Sequence, residues 1–410
     1  MKNIWMPHIH KNAGCTVNAI LTKTCWDNTN FTINDRPFNK ENVKNYLRER
    51  TELIHHPNYH KIKIKNIQTN QILLTDHNVP YTDDMNDWIK ILIIRNPIDR
   101  IISWYNYAIY NSYISNNNYN FSISEYIDMS TKDKPEWLYT PNSHIEFLNT
   151  LINEDLNYQS FFDYVIDVTD LNELFPILKR LFFHDNADIR ETKNENTAKD
   201  NIQSLKNSNI QQLTQDKLLP HDIKKINNYD VFKEDVMFYN NFIEYYNDGS
   251  QYIGILENNL RNKYGVYRGS NGNTYYGEWK NNLRHGYGKF LYKDGCTYEG
   301  YMVDDYAEGY GEYTWTYGRQ YKGQWKKWKQ HGIGTMTWKN PFSDKLPKVK
   351  YEGNFENDKF NGYGTFYPPQ DFNSLDKKNY KGQWKDDGFL DEHWPPVNYP
   401  HYSNYKGDWI

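Results

Sequence analysis

Three cysteines in 410 residues, Cys15, Cys25 and Cys296, are too few and too irregularly placed for a disulfide framework, and their spacing fits no zinc site. A reducing compartment is the simpler expectation. No run of 18 apolar residues occurs, so no helix is expected to cross a bilayer. The opening stretch from Met1 to His10 holds too short an apolar core for a signal peptide and reads better as a first strand. The expectation is a soluble, cytoplasmic chain. A cationic excess is also missing: the net charge is -4, so nucleic acid is not an expected partner. Any anionic ligand must be held by a few placed cations. What the chain does have is ring side chains, with 37 Tyr and 13 Trp among 38% hydrophobic residues, which excludes a disordered polyelectrolyte.

The length suggests two or three domains. Ile4–Ile9, Gln71–Thr75 and Lys90–Ile94 are short apolar runs of the kind found in buried parallel strands. Val17–Thr24, Ile101–Ile109, His144–Leu151, Leu171–Phe183 and Asp230–Tyr246 have helical spacing. This alternation predicts an α/β domain with a mostly parallel sheet over residues 1–246. The polar stretch Asp185–Asp216 reads as a surface loop.

From about Asp248 the helical period vanishes and a repeat takes over. Tyr-x-Gly recurs at Tyr252, Tyr275, Tyr298 and Tyr321 at intervals of 23 residues, then at Tyr351, Tyr380 and Tyr405. Gly-x-Gly falls in phase at Gly286, Gly309, Gly332 and Gly362. Such a period signals a stacked array, here of β-hairpins with glycine expected where the chain turns. The units resemble MORN repeats, which implies an all-β hairpin solenoid over 247–410. Its regular units run to about residue 364, and 371–410 forms a degenerate, capping tail.

Two segments carry phosphate chemistry. His8-Ile-His-Lys11-Asn12-Ala13-Gly14-Cys15-Thr16 follows a strand and leads into a helix. Small residues let backbone N–H groups approach an anion, and Lys11 adds a full charge. The lysine precedes the glycine, so this is not a Walker A loop. The second segment is Arg95-Asn-Pro97-Ile-Asp-Arg100-Ile-Ile-Ser103, again after a strand. A guanidinium and a hydroxyl there can converge on one phosphate. Arg100 suits a structural ion pair or a gatekeeper better than a ligand. Between the two lies Asp76-His77 at a strand end, with an imidazole able to accept a proton near neutral pH.

Together these segments resemble sulfotransferases that use 3'-phosphoadenosine 5'-phosphosulfate (PAPS), and the Lys-Asn-Ala-Gly form is similar to carbohydrate-type members. The resemblance implies a P-loop NTPase-like domain that transfers a sulfuryl group to an acceptor hydroxyl, with a glycan as the expected acceptor and no metal. It places the 5'-phosphosulfate on Lys11, Asn12, Ala13, Gly14, Cys15 and Thr16, and the 3'-phosphate between Arg95 and Ser103. Lys11 and His77 become the catalytic residues, with Asp76 the weaker rival for general base. Cys15 departs from the usual Thr and offers only its backbone N–H. Asn142–Leu151 resembles a segment bordering the acceptor cleft, Asp163–Leu174 a late strand and helix, and Tyr229–Tyr239 the closing helix. The resemblance also places Arg190–Ala198 over the nucleotide, with no single residue there assigned a role.

Two rival readings stay open. One is a catalytically silent nucleotide-binding scaffold whose repeats carry the function, and the other is a kinase. The repeats themselves suit a protein partner, a homodimer contact, an acidic lipid at Lys326, Lys327 and Lys329, or an aromatic surface for glycan.

Overall fold

The computed structural model describes residues 2–7, 31–33, 36–37, 62–67, 69–76, 81–114, 121–130, 148–149, 151–152, 157–183, 218–228, 230–339, 348–368 and 379–389. The chain divides into two compact units, the first of residues 1–247 and 251–265, the second of residues 248–250 and 266–410.

The first unit is built on a sheet of seven described strands: β1 (Ile4–Pro7), β2 (Phe31–Ile33), β3 (Arg36–Pro37), β4 (Ile62–Asn66), β5 (Ile72–Asp76), β6 (Ile89–Ile94) and β7 (Tyr164–Asp167). They lie in the order β3-β2-β4-β5-β1-β6-β7. β5, β1, β6 and β7 are parallel, as the apolar runs predict. β4 and β2 extend the sheet in antiparallel fashion, which the sequence reading did not anticipate. The centre is dry, with Ile4, Trp5, Met6 and Ile91–Ile94 all buried. Each such side chain contributes roughly 1.5–3 kcal/mol. The entry into β1 is pinned from both sides, since Asn3 Oδ1 accepts from Ile72 N at 2.9 Å and its carbonyl accepts from Ile89 N at 2.8 Å.

Helix α1 (Pro97–Ile114) starts directly after β6, and α2 (Ile123–Ser130) packs on it around Trp104, Tyr105, Phe121 and Tyr126. The short α3 (Tyr158–Phe161) precedes β7, and α4 (Leu171–Leu178) follows it. Lys179–Phe183 continues α4 as a wider turn of π type, so the predicted helix over 171–183 changes pitch after Leu178. α5 (Pro220–Asn228) and α6 (Asp230–Asn240) complete the helices described. The helix expected to reach Tyr246 stops at Asn240, a correction with a plain cause. Ile243–Tyr245 forms β8 and gains a ladder with Gln251–Ile253 that continued helix could not offer. Asp248 closes the turn between them, accepting from Ser250 N at 2.9 Å.

β9 (Gln251–Glu257) and β10 (Leu260–Arg268) form the first hairpin of the repeat region. In the second unit an antiparallel sheet runs in chain order through β11 (Thr274–Lys280), β12 (Leu283–Leu291), β13 (Thr297–Val303), β14 (Tyr306–Thr314), β15 (Gln320–Lys326), β16 (Lys329–Trp338), β17 (Val349–Glu356), β18 (Lys359–Tyr367), β19 (Tyr380–Lys385) and β20 (Gly388–Phe389). The tail 379–389 therefore adds a hairpin, with Gly364 opposite Gly382 as in earlier units.

The motif glycines do not make the hairpin turns, contrary to expectation. Gly277 faces Gly288, Gly300 faces Gly311, Gly323 faces Gly334 and Gly353 faces Gly364 in mid-strand. Each pair lies against one buried tyrosine: a Cβ on Gly288 would stand 2.3 Å from the Tyr275 hydroxyl. That hydroxyl donates to the carbonyl of Glu278 at 3.1 Å, and Tyr298 does the same to Tyr301 at 2.8 Å. The tight turns are instead made by adjacent left-handed pairs such as Asn281-Asn282, Asp304-Asp305 and Asn357-Asp358. Asn and Asp tolerate that conformation, and two positive φ values match the twist of a hairpin. Glycine does turn the chain between units, at Gly272, Gly295 and Gly318.

Candidate functional site

The parallel strands order the site. Strand β1 is central, β5 lies on one side and β6 on the other, so the chain reverses its winding direction between β1 and β6. In open α/β sheets ligands bind beyond the carboxyl ends of the strands at such a switch point. Pro7 ends β1 opposite Asp76, the last residue of β5. Ile94 ends β6 opposite Asp167, the last residue of β7. Four strand ends thus share one edge of the sheet.

Of the predicted site residues, Lys11, Asn12, Ala13, Gly14, Cys15 and Thr16 lie outside the described residues, as does His77. So do Arg190–Ala198 and the helix expected over Val17–Thr24. Asp76 is described only in its backbone. Along the chain, however, the first candidate loop leaves β1 after Pro7, His77 follows β5 directly, and Arg95 follows β6 directly.

The β6–α1 junction is fully described. Asn96 caps α1: its Oδ1 accepts from Ile98 N at 2.9 Å and its carbonyl accepts from Arg100 N at 2.9 Å. Pro97 occupies the first helical position, where its missing N–H costs nothing and its fixed φ suits the helix. Arg95 is therefore held rigidly between a core strand and a capped helix. Burial pushes its guanidinium pKa down, Asp99 and Asp167 push it up, and Arg100 pushes it down again. An arginine so placed keeps its charge at any physiological pH. Ser103 is half-buried on α1 and lies one turn beyond Asp99, on the same side of the helix as Asn96. The backbone start of an 18-residue helix, a fixed guanidinium and a hydroxyl on the matching face suit an anion such as a phosphate.

Arg100 does not point to the same place. It is 1% exposed and ion-paired with Asp235 of α6, so it ties α1 to the closing helix. One residue that sequence reasoning did not single out, Asp167, acts on the Arg95 guanidinium. Asp167 is buried and accepts from Thr169 N at 2.8 Å, from Thr169 Oγ1 at 2.6 Å and from the Tyr239 hydroxyl at 2.7 Å. The only sequence signal for it was its position at the end of the predicted late strand. Among the described residues, no group of three or more His, Cys, Asp or Glu side chains could hold a metal ion, and no helix is long and apolar enough to cross a membrane.

Comparison with protein families agrees with this layout. The sulfotransferase family profile matches residues 2–240, and the MORN repeat profile matches 252–274, 275–297, 298–316, 321–340 and 351–371. No curated protein matches the chain. Because the first match covers more than half of the 410 residues, the chain belongs to the sulfotransferase family and carries five MORN repeats after its transferase portion.

Proposed function

We propose that this protein transfers a sulfuryl group from PAPS to an acceptor hydroxyl on a carbohydrate, using a P-loop-like site. The observation that carries this reading is the shared sheet edge: β5 and β6 end immediately before His77 and Arg95, and β1 ends at Pro7, four residues before Lys11 in the chain. Lys11, Asn12, Ala13, Gly14, Cys15 and Thr16 hold the 5'-phosphosulfate. Arg95 and Ser103 hold the 3'-phosphate, where a charge-assisted fork and a hydroxyl complement a dianion. His77 takes the acceptor's proton as its oxygen forms the new bond to sulfur. Lys11 balances the charge on the 5'-phosphate oxygen as its bond to sulfur breaks. The products are a sulfate ester and adenosine 3',5'-bisphosphate, with the proton left on His77.

The carbohydrate acceptor rests on the Lys-Asn-Ala-Gly form of the first loop. The MORN array serves as a contact surface for protein, a second copy of the chain or acidic lipid, and the enzyme works without a metal in a cytoplasmic setting. The test is a PAPS-binding isotherm coupled to a sulfate-transfer assay on mixed glycans. Transfer that Lys11→Ala abolishes with the fold intact supports the reading. Binding without transfer to any acceptor favours a silent scaffold, and ATP outcompeting adenosine 3',5'-bisphosphate favours a kinase.

A further inference from the structure

The first repeat breaks the pattern of the others at one position. Gly286, Gly309, Gly332 and Gly362 begin the Gly-x-Gly pairs of the later repeats, and all have positive φ. Counting back 23 residues from Gly286 gives Lys263, with φ 55. A lysine there bears a left-handed backbone strain that glycine would avoid. The ammonium offsets that strain. Lys263 Nζ donates to the Ser160 carbonyl at 2.9 Å and the Phe162 carbonyl at 3.0 Å, at the end of α3, with Asp163 Oδ1 at 4.0 Å and Glu257 Oε1 at 3.6 Å. The Ser160 carbonyl lies in the last turn of α3, where the helix has no later backbone N–H to bond it, and the Phe162 carbonyl follows the helix end.

The outward face of this hairpin is altered in the same sense. Ile253 and Ile255 are buried, where the following repeats carry Glu299 and Tyr301, or Lys322 and Gln324. Tyr264 is 5% exposed and packs on Tyr164 of β7 with ring centroids 5.4 Å apart, whereas its counterparts Tyr310 and Ile333 are 59% and 69% exposed. β7 is the outermost described strand on its side of the sheet. An open strand edge is a liability that folds cover with another element.

We infer that the β9–β10 hairpin is a structural component of the transferase unit, covering the β7 flank of its sheet, with Lys263 as the residue that latches it to α3 and the start of β7. The functional transferase unit then extends to Gly265, and the contact surface of the array begins with the second repeat. Asp163 extends the latch into the core, because it exchanges backbone and side-chain bonds with Lys90 of β6, Asp163 N to Lys90 O and Lys90 N to Asp163 Oδ2, both at 2.9 Å.

The test is hydrogen exchange on the full chain carrying Lys263→Gly or Lys263→Met. The glycine variant relieves the backbone and removes the ammonium; the methionine variant keeps the stem and removes only the donors. Loss of two charge-assisted bonds is expected to speed exchange over residues 160–167 about tenfold in both variants, with residues 298–311 unchanged. Unchanged exchange at 160–167, or acceleration confined to 251–265, overturns the inference.

Discussion

Arg100 on α1 and Asp235 on α6 form an ion pair that is closed to solvent, 135 residues apart in the chain. Burial alone would push the guanidinium toward its neutral form, and Asp235 is the main group holding it charged. Removing one partner leaves the other charge buried and uncompensated, which costs about 3–5 kcal/mol. Asp235→Leu is therefore expected to lower stability by that order in urea unfolding. Replacing both, as Arg100→Met with Asp235→Leu, is expected to recover most of the loss.

The tyrosine–glycine pairs separate two kinds of glycine within a single strand. At Gly311 an added Cβ would meet the Tyr298 ring at 2.6–2.9 Å, while at Gly309 nothing lies nearer than 3.7 Å and only the φ of +80 opposes it. Gly311→Ala is expected to cost about 3 kcal/mol or more by forcing the ring out of place. Gly309→Ala is expected to cost about 1–2 kcal/mol of backbone strain. Thermal melts of the two variants side by side read the difference.

Successive hairpins are tied through their turns. Asp358 Oδ1 accepts from Gln330 N at 2.7 Å, and Asp358 N donates back to the Gln330 carbonyl at 3.1 Å; Asp387 and Phe360 repeat the arrangement. Asp358→Ala loses the acceptor and places alanine in a left-handed turn, at an expected cost of about 1–3 kcal/mol. Asp358→Asn keeps both features and is expected to lie close to wild type in the same melt.

Ser122 and Glu125 form a capping box at the start of α2: Glu125 Oε2 accepts from Ser122 N at 2.7 Å, and Ser122 Oγ accepts from Glu125 N at 3.3 Å. The bonds from Ser122 N and Ser122 Oγ hold the Glu125 carboxyl below its usual pKa. A depressed folded-state pKa contributes stability that is fully present above the unfolded-state value, near 4.3, and is lost as pH falls through the lower folded value. The box is solvent-exposed, so the effect is small. Glu125→Gln keeps the geometry and is expected to remove the pH dependence of the Tyr126 amide's protection, read as its exchange rate relative to the unstructured rate at each pH between about 5 and 3.

At the proposed nucleotide site, Arg95→Ala removes a charge-assisted contact and is expected to weaken adenosine 3',5'-bisphosphate binding about 10- to 100-fold. Ser103→Ala is expected to weaken it severalfold. Isothermal titration checks both, and unaltered affinity in Arg95→Ala would place the 3'-phosphate elsewhere.

The strands that bear the site were readable because burial on both faces demands apolar runs, as in Ile91-Leu-Ile-Ile, and few other residues can supply that. The N-cap and Pro97 were readable because they answer to local geometry. The strand Ile62-Lys-Ile-Lys-Asn has a short period-2 pattern, and only its pairing with β5 decides that it extends the sheet. Asp167 beside Arg95, and Tyr239 on Asp167, depend on strands and helices far apart in sequence. No local pattern marks them.

The repeat shows the same division. Sequence by itself determined the period, the hairpin character and the pairing of glycine with tyrosine, because identical units must solve the same packing problem each time. Only the tertiary structure decided what the glycines are for: space beneath a ring in mid-strand, with the turns left to Asn and Asp pairs. It also decided that the first hairpin differs from its neighbours, since the worth of a lysine in a left-handed backbone depends on which carbonyls its ammonium can reach. For the transferase unit, sequence determined which residues could hold phosphate, and the order of the parallel strands decided which of them share an edge.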